Sequence, residues 1–158
     1  MGDKEIHNIF ISHYHKDVEE LSKLKELLKS RGHEMRDSSI DGSDPNQAKN
    51  PDYIKSLIRP KIEWAGTIVV LIGPETHTRS WVNWEIEYAN KLGKRIVGVY
   101  VRGAKESDVP KNLNMFGDSL VGWDSDKIIG AIEGKHHDWL TPEGTPREGV
   151  WPVDRSSC

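Results

Sequence analysis

The chain has one cysteine among its 158 residues, and it is the last residue, Cys158. A lone cysteine forms no disulfide within the chain, which favours a reducing compartment. The longest apolar run, residues 68–72, is far shorter than the ~20 residues that a membrane span needs. No apolar stretch typical of a signal peptide follows Met1. We therefore expect a cytoplasmic protein with no membrane partner.

The sequence also lacks an excess of basic residues. It holds 22 Lys and Arg against 25 Asp and Glu, for a formal net charge of -3. A protein that binds nucleic acid needs positive charge to neutralise the phosphate backbone, so we expect no nucleic-acid partner. A chain of this length fits one domain that buries an adequate core without a metal or disulfide.

Short apolar runs alternate with amphipathic stretches, a pattern typical of βαβ units around a parallel sheet. The runs predicted as strands are residues 9–11, 33–36, 66–72, 95–101 and 120–123, of which 33–36 is polar and the weakest. We predict an α/β, flavodoxin-like fold, with a five-stranded parallel sheet and helices on both faces. The second run should lie at a sheet edge and the third at the centre. A helix that starts at Asn50-Pro51 should run to about Ile58, with Pro60 kinking or restarting it.

The composition changes after Gly134. Residues 135–158 hold three of the eight prolines and no periodic apolar pattern. The sequence predicts one α/β domain over residues 1–134 and an irregular or disordered tail over 135–158. This tail should add little to the core, unless Trp139 and Trp151 wrap it onto the surface.

Several common nucleotide-binding motifs are missing. No G-x-G-x-x-G follows the first strand, and no Walker A motif is present. A phosphoreceiver of the same topology would need acidic residues after the first and third strands, where this chain has Ser12-His13 and Gly73-Pro74. In such folds the ligand lies beyond the carboxyl ends of the strands. Chemistry should therefore sit near Ser12, Asp37 and Gly73.

One carboxylate lies on the apolar face of a predicted helix. In residues 80–92, helical spacing puts Glu85 in the middle of an apolar stripe that includes Trp81, Tyr88 and Leu92. Glu87 lies about 160° around the helix from that stripe. A carboxylate on a core-facing stripe is costly unless it is paired or protonated. Glu85 is therefore either a structural residue, for example bridging to Arg36, or a catalytic carboxylate in a partly dry cleft. The aromatic residues of the stripe could be ordinary core side chains.

Seven histidines raise the question of a metal site. The pairs His13/His15 and His136/His137 lack the cysteine or spaced carboxylate partners of a metal site, so we expect none. His13 should be solvent-exposed or contact a ligand. The long polar loop over residues 37–50 contains aspartates that are either solvated turn formers or contacts to a ribose: Asp37, Asp41 and Asp44.

Two motifs of the sequence match those of a known family. Residues 9–17 form an apolar strand followed by Ser12 and then Asp17, which resembles the first-strand box of TIR domains. Trp81-Val82-Asn83-Trp84-Glu85 is similar to their third-helix W-C-x-x-E signature, with Val82 where cysteine is usual. The sequence therefore resembles the TIR-like family, and within it the TIR-like subunit of Thoeris antiphage defence systems. Residues 96–100 and 121–124 are closer to bacterial than to animal members. The resemblance covers about residues 7–133.

This resemblance implies an enzyme that breaks the nicotinamide–ribose bond of NAD and forms a cyclic ADP-ribose isomer. Glu85 would be the catalytic residue, and NAD would be a substrate with no further cofactor. The resemblance implies a substrate site at Phe10, Ser12, His13, Tyr14, Arg36, Asp44 and Trp81. Its implied partners are a separate effector protein that responds to the nucleotide product, a phage-derived trigger and further copies of the chain. The free protein should turn over NAD slowly until it is triggered.

Two alternatives come from other classes of protein. A TIR fold can be a non-catalytic interaction or adaptor module. A nucleoside-processing transferase uses a glutamate on an α/β sheet to attack the same kind of bond. Comparing NAD with nucleosides as substrates would separate the two kinds of enzyme.

Overall fold

The computed structural model describes residues 7–13, 18–37, 51–74, 76 and 80–147. Its strands are β1 (Asn8–Ser12), β2 (Glu34–Asp37), β3 (Thr67–Ile72), β4 (Arg95–Tyr100) and β5 (Ser119–Val121). Its helices are α1 (Val18–Ser30), α2 (Pro51–Trp64), α3 (Ser80–Lys91), α4 (Lys111–Phe116) and α5 (Ser125–Ile132), with a 3-10 turn at Glu106–Asp108.

The strands form one parallel sheet in the order β2-β1-β3-β4-β5. This confirms the predicted flavodoxin-like fold. β3 is buried at all six positions, as expected for a central strand, and β2 lies at the edge with alternating half-buried and exposed residues. Because crossovers between parallel strands are right-handed, α1 lies on one face of the sheet and α2, α3 and α4 lie on the other.

The ends of two helices follow local sequence signals. Gly32 ends α1 with φ +82°, a left-handed conformation that glycine adopts without a steric penalty. The side chain of Asp124 caps α5 by accepting a hydrogen bond from the backbone N–H of Lys127.

The expected end of α2 near Ile58 is wrong, because the helix continues through Pro60 to Trp64. Proline removes the N–H that would bond to the carbonyl of Ser56. Ser56 and Pro60 are both exposed, so water can reach that carbonyl. The remaining turn is retained because Ile62 is completely buried in the core.

The segment after α5 packs against the sheet. Leu140 N–H donates to Leu120 O at 2.8 Å, and Leu120 N–H donates to Asp138 O at 2.8 Å, which adds a short parallel bridge beside β5. Trp139 and Leu140 are 7% and 9% exposed and belong to the hydrophobic core. The expectation that the tail adds little to the core is therefore wrong for residues 135–147. The missed signal is the Trp139-Leu140 pair, too short to show periodicity.

Candidate active site

Glu85 is held in the interior by the amphipathic pattern of α3. Its side chain is completely buried, on the arc of α3 that also carries Val82, Ile86 and Ala89. Glu87 is exposed and pairs with Lys91 at 3.5 Å, so the predicted contrast between the two glutamates is confirmed. Leu92 was expected on the buried stripe but is 41% exposed, because α3 ends at Lys91.

Ser12 is the direct partner of Glu85. It is the last residue of β1, where it pairs with Val70 of β3, and its side chain is completely buried. The Ser12 hydroxyl donates a hydrogen bond of 2.6 Å to Glu85 Oε1. The carboxyl end of β1 therefore places a hydroxyl against the carboxyl group of α3, at the end of the sheet where ligands bind in this class of fold.

Two buried polar atoms next to this hydrogen bond have no partner within the described part of the chain. They are Glu85 Oε2 and Trp81 Nε1. The indole N–H of Trp81 is near enough to lower the pKa of Glu85, yet its geometry falls short of a hydrogen bond. Buried polar groups are nearly always hydrogen-bonded, so an unmatched carboxyl oxygen and an unmatched indole N–H side by side point to a place for a polar ligand.

Burial raises the pKa of Glu85 from 4.5 to about 8. Loss of water disfavours the charged carboxylate and is the largest influence. The Ser12 hydroxyl, the Trp81 indole and the positive charge of Lys61 each lower the pKa, whereas the negative charge of Asp37 raises it. In the ligand-free site the neutral acid therefore predominates at pH 7.

A charged cluster lies at the carboxyl ends of β1 and β2. Asp37 is the last residue of β2, with a side chain 10% exposed, and its carboxylate forms an ion pair with Lys25 of α1. His13 Nε2 lies 3.9 Å from Asp37 Oδ1, and Lys61 Nζ donates to the backbone carbonyl of Asp37 at 3.1 Å. Asp37 is therefore a paired group, and the interpretation as a solvated turn former is wrong for it.

Sequence reasoning missed Lys25 and Lys61. Lys61 influences the charge state of Glu85, although it lies 24 residues before it in the chain. A usable signal was present, since Lys61 is three residues after the buried Ile58 and so shares its side of α2. Lys25 gives no such signal, because its pairing with Asp37 depends on how α1 packs against β2.

The other predicted substrate residues lie in different places. Phe10 is completely buried in the core, on the same face of β1 as Ser12. His13 is close to the cluster around Asp37, with a side chain 6% exposed. Arg36 makes no ion pair with Glu85; its guanidinium lies 4.2 Å from the ring centre of Trp64 instead. Tyr14 and Asp44 lie outside the described residues.

Trp81 begins an aromatic ladder along α3. Its ring centre is 5.6 Å from that of Trp84, which stacks on Tyr88 at 5.6 Å. Arg59 of α2 lies over both Trp84 and Tyr88, so the ladder fills the contact between α2 and α3. These rings are partly buried and pack against the core. The core interpretation of Tyr88 is consistent with this placement, while Trp81 also directs its N–H towards Glu85.

Comparisons with known proteins identify the family. The family described as Thoeris protein ThsB, TIR-like domain, matches residues 10–106, more than half of the chain. The chain belongs to the ThsB TIR-like family. This confirms the resemblance inferred from the sequence and gives the chain a Thoeris-associated role in defence. Membership in a Thoeris family also implies an effector partner.

Solved structures support the fold of this ThsB TIR-like chain. A conserved protein from Enterococcus faecalis V583 is 12% identical, with a TM-score of 0.56, over 84% of this chain and 100% of that one. A CMP N-glycosidase, BcmB, from Clostridium botulinum is 15% identical, with a TM-score of 0.53, over 82% of this chain and 99% of that one. No curated protein matches the sequence.

The described residues include neither a metal-binding cluster nor a helix that could span a membrane. No group of three or more His, Cys, Asp or Glu side chains there is arranged to hold a metal ion. None of the helices described is long and apolar enough to cross a membrane.

Proposed function

We propose that this chain cleaves the nicotinamide–ribose bond of NAD and that the Glu85 carboxylate stabilises the ribose cation formed as the bond breaks. The single observation that carries the proposal is the burial and incomplete hydrogen bonding of the Glu85 carboxyl group. Its side chain is completely buried, one oxygen accepts the Ser12 hydroxyl at 2.6 Å, and the other has no partner among the described residues. A carboxylate with a free acceptor oxygen is suited to developing positive charge.

The bond-breaking step needs little proton transfer. The electron pair of the C–N bond moves to the ring nitrogen, so the cationic nicotinamide of NAD leaves as a neutral molecule. The ribose carbon becomes a cation of the oxocarbenium type, which a nearby carboxylate stabilises. Glu85 Oε2 is also available to accept a hydrogen bond from a ribose hydroxyl and so orient the sugar.

The raised pKa of Glu85 gives the site a preference for a cationic substrate. The free carboxyl group is largely neutral at pH 7, since its pKa is about 8. A positive charge beside it favours the ionised form. Binding of the cationic nicotinamide ring therefore lowers the pKa of Glu85, which releases its proton to solvent and leaves the carboxylate that the reaction uses, whereas a neutral nucleobase gives no such assistance.

The fate of the ribose cation decides the product. We propose that an atom of the same substrate captures it, which closes a ring and gives a cyclic ADP-ribose isomer as a signal for a separate effector. This outcome requires that water be excluded from the reactive carbon. The complete burial of Ser12 and Glu85 supports it. The effector follows from the Thoeris family, and a phage-derived trigger and self-assembly stay predictions.

A second candidate is an N-glycosidase acting on nucleotides with neutral bases. One observation favours it: a carboxyl group with a pKa of about 8 is protonated at pH 7 and could donate a proton to a leaving base. The two reactions differ in pH dependence. Cleavage of NAD by the carboxylate rises with pH through about 8, whereas cleavage assisted by the acid falls over the same interval.

The test is product analysis by mass spectrometry. Purified protein is incubated with NAD or CMP, with and without an extract of phage-infected cells. The proposal predicts slow release of nicotinamide from NAD, faster release with the extract, and a cyclic product. Release of cytosine without nicotinamide would favour the second candidate. No turnover of either substrate in any arm would favour a non-catalytic adaptor, and linear ADP-ribose alone would exclude the cyclisation step.

A further inference from the structure

A cavity of about 480 Å³ lies at the carboxyl ends of β4 and β5, apart from the residues around Glu85. Its lining comes from the end of β4 and the following loop, from the residue two places after β5, and from a turn in the segment beyond α5. These residues are Tyr100, Val101, Arg102, Gly103, Ala104, Trp123, Pro142 and Glu143. The volume lies within the range of small-molecule sites, roughly 300–1,000 Å³.

The walls of the cavity are fixed by hydrogen bonds. Tyr100, 2% exposed, donates from its hydroxyl to Leu140 O at 3.1 Å, which joins the end of β4 to the segment beyond α5. Arg147 holds the far end of that segment, because its Nε donates to Glu106 Oε1 at 3.1 Å and its Nη1 donates to Asn114 Oδ1 at 2.6 Å. The turn that carries Pro142 and Glu143 is therefore anchored on both sides.

Three groups on the lining are available to a ligand. Trp123 is 40% exposed and stacks on no ring within the described ranges. Arg102 and Glu143 are exposed, and neither forms an ion pair with a described residue. An aromatic face, a guanidinium and a carboxylate thus border one cavity, and the guanidinium and the carboxylate do not form an ion pair with each other.

We propose that this cavity binds a nucleoside monophosphate, with the base on Trp123, the phosphate on Arg102 and a ribose hydroxyl donating to Glu143. Aromatic side chains stack on any nucleobase, and guanidinium groups bind phosphate through paired charge-assisted hydrogen bonds. A nucleoside monophosphate carries a flat ring, a sugar with donors and an anion on one scaffold. It therefore matches all three available groups, which a lone phosphate or a lone ring does not.

This site is independent of the proposed reaction. None of its lining residues belongs to the group around Glu85, and Trp123, Pro142 and Glu143 lie beyond residues 10–106, which the family matches. A nucleotide bound here would lie, like a substrate near Ser12, at the carboxyl ends of the strands, with β4 two strands away from β1. The cavity gives the chain a second nucleotide-binding function that holds whether or not the chain cleaves NAD.

The test is NMR of the ¹⁵N-labelled full chain titrated with AMP, with adenosine and inorganic phosphate as separate probes. The six tryptophans give separate indole N–H signals, and Trp123→Leu identifies the one from Trp123. We expect AMP to shift that signal, and Trp123→Leu and Arg102→Ala to weaken AMP binding by about tenfold or more. The matched control Arg31→Ala, an exposed arginine at the end of α1, should bind AMP like the wild type.

A parallel titration of Glu85→Gln separates the two sites. Unchanged AMP binding in Glu85→Gln supports the cavity, and loss of binding there would assign AMP to the Glu85 site and overturn the proposal. The proposal would also be overturned if AMP did not shift the indole N–H signal of Trp123, or if phosphate alone bound as tightly as AMP. A self-association that Trp123→Leu and Arg102→Ala abolish, with no response to AMP, would instead make the cavity an interface between copies.

Discussion

Ser12 and Glu85 lie 73 positions apart in the chain, yet the hydroxyl of one donates to the carboxyl group of the other at 2.6 Å. The contact depends on the strand order, because β1 lies beside β3. The crossover from β3 to β4 through α3 passes over the face of the sheet that carries the Ser12 side chain. Through this hydrogen bond, Ser12 at the end of β1 affects the protonation of the buried Glu85 carboxyl group.

Replacing Ser12 should shift the pH dependence of activity. The Ser12 hydroxyl lowers the pKa of Glu85, so Ser12→Ala should raise that pKa further above about 8. If the carboxylate is the active form, activity rises with pH, and the variant should need a higher pH to reach the same rate. For each unit by which the pKa rises, the ionised fraction at pH 7 falls about tenfold. The measurement is kcat/KM for nicotinamide release against pH.

The control for this variant is Ser119→Ala. Ser119 is also completely buried at the sheet, but its hydroxyl donates to His136 O at 3.4 Å. Its pH profile should match that of the wild type. An identical shift in both serine variants would show that loss of a buried hydroxyl, and not contact with Glu85, moves the profile.

Glu85 should make stability fall as the pH rises. The pKa of Glu85 in the folded protein, about 8, lies above the value of 4.5 for an unperturbed glutamate in water. Between these two pH values the folded protein therefore holds a proton that the unfolded chain has lost. That stabilising contribution is present below about pH 4.5 and is lost as the pH rises through about 8. Glu85→Gln removes this dependence. Its Tm should be close to that of the wild type near pH 5 and higher near pH 8.5.

For a chain of this size, one kcal/mol corresponds to about 2–4 °C in Tm. Melting curves of the wild type and the variant at several pH values provide the measurement. A glutamine variant that melts earlier than the wild type at every pH would show that the Glu85 charge is stabilising, which is the behaviour of a structural ion pair.

Trp139 should be essential to the fold, although it lies beyond α5. It is 7% exposed and part of the core, so Trp139→Ala should cost about 3–5 kcal/mol in the free energy of unfolding. Trp123→Ala, at a side chain 40% exposed, should cost far less. Truncation after Gly134 should likewise impair folding. Denaturant unfolding of the three variants tests this, and a cooperative, wild-type-like transition after Gly134 would contradict it.

The sequence was sufficient to predict the features that depend on local periodicity. The helical spacing of residues 80–92 identified Glu85 as buried and Glu87 as exposed, and the alternation of strands and helices gave the parallel sheet. The charged cluster was not predictable in this way. Lys25, Asp37 and Lys61 come from three different elements, and their pairing depends on how α1 and α2 pack against β2.

The wrong end predicted for α2 has a local physical cause. Pro60 does not end α2, because the residue whose carbonyl it leaves without a partner is exposed to water and the last turn is held by buried Ile62. The role of Arg36 as a substrate contact stays a prediction. Arg36 is paired with Phe10 and so lies on the face of the sheet that carries Phe10 and Ser12, where its guanidinium stacks on Trp64. Asp37 lies on the opposite face, on the side of Lys25.

The most direct test of the account compares two glutamates on one helix. Glu85→Gln keeps the shape and hydrogen bonding of the side chain but removes its charge, and Glu87→Gln does the same at an exposed position. Nicotinamide release per folded molecule should fall by about 10²–10³ in Glu85→Gln, since one such electrostatic contact contributes that much to a rate. It should stay near the wild-type value in Glu87→Gln. A Glu85→Gln protein that is folded and releases nicotinamide at the wild-type rate would contradict the assignment of Glu85 as the catalytic carboxylate.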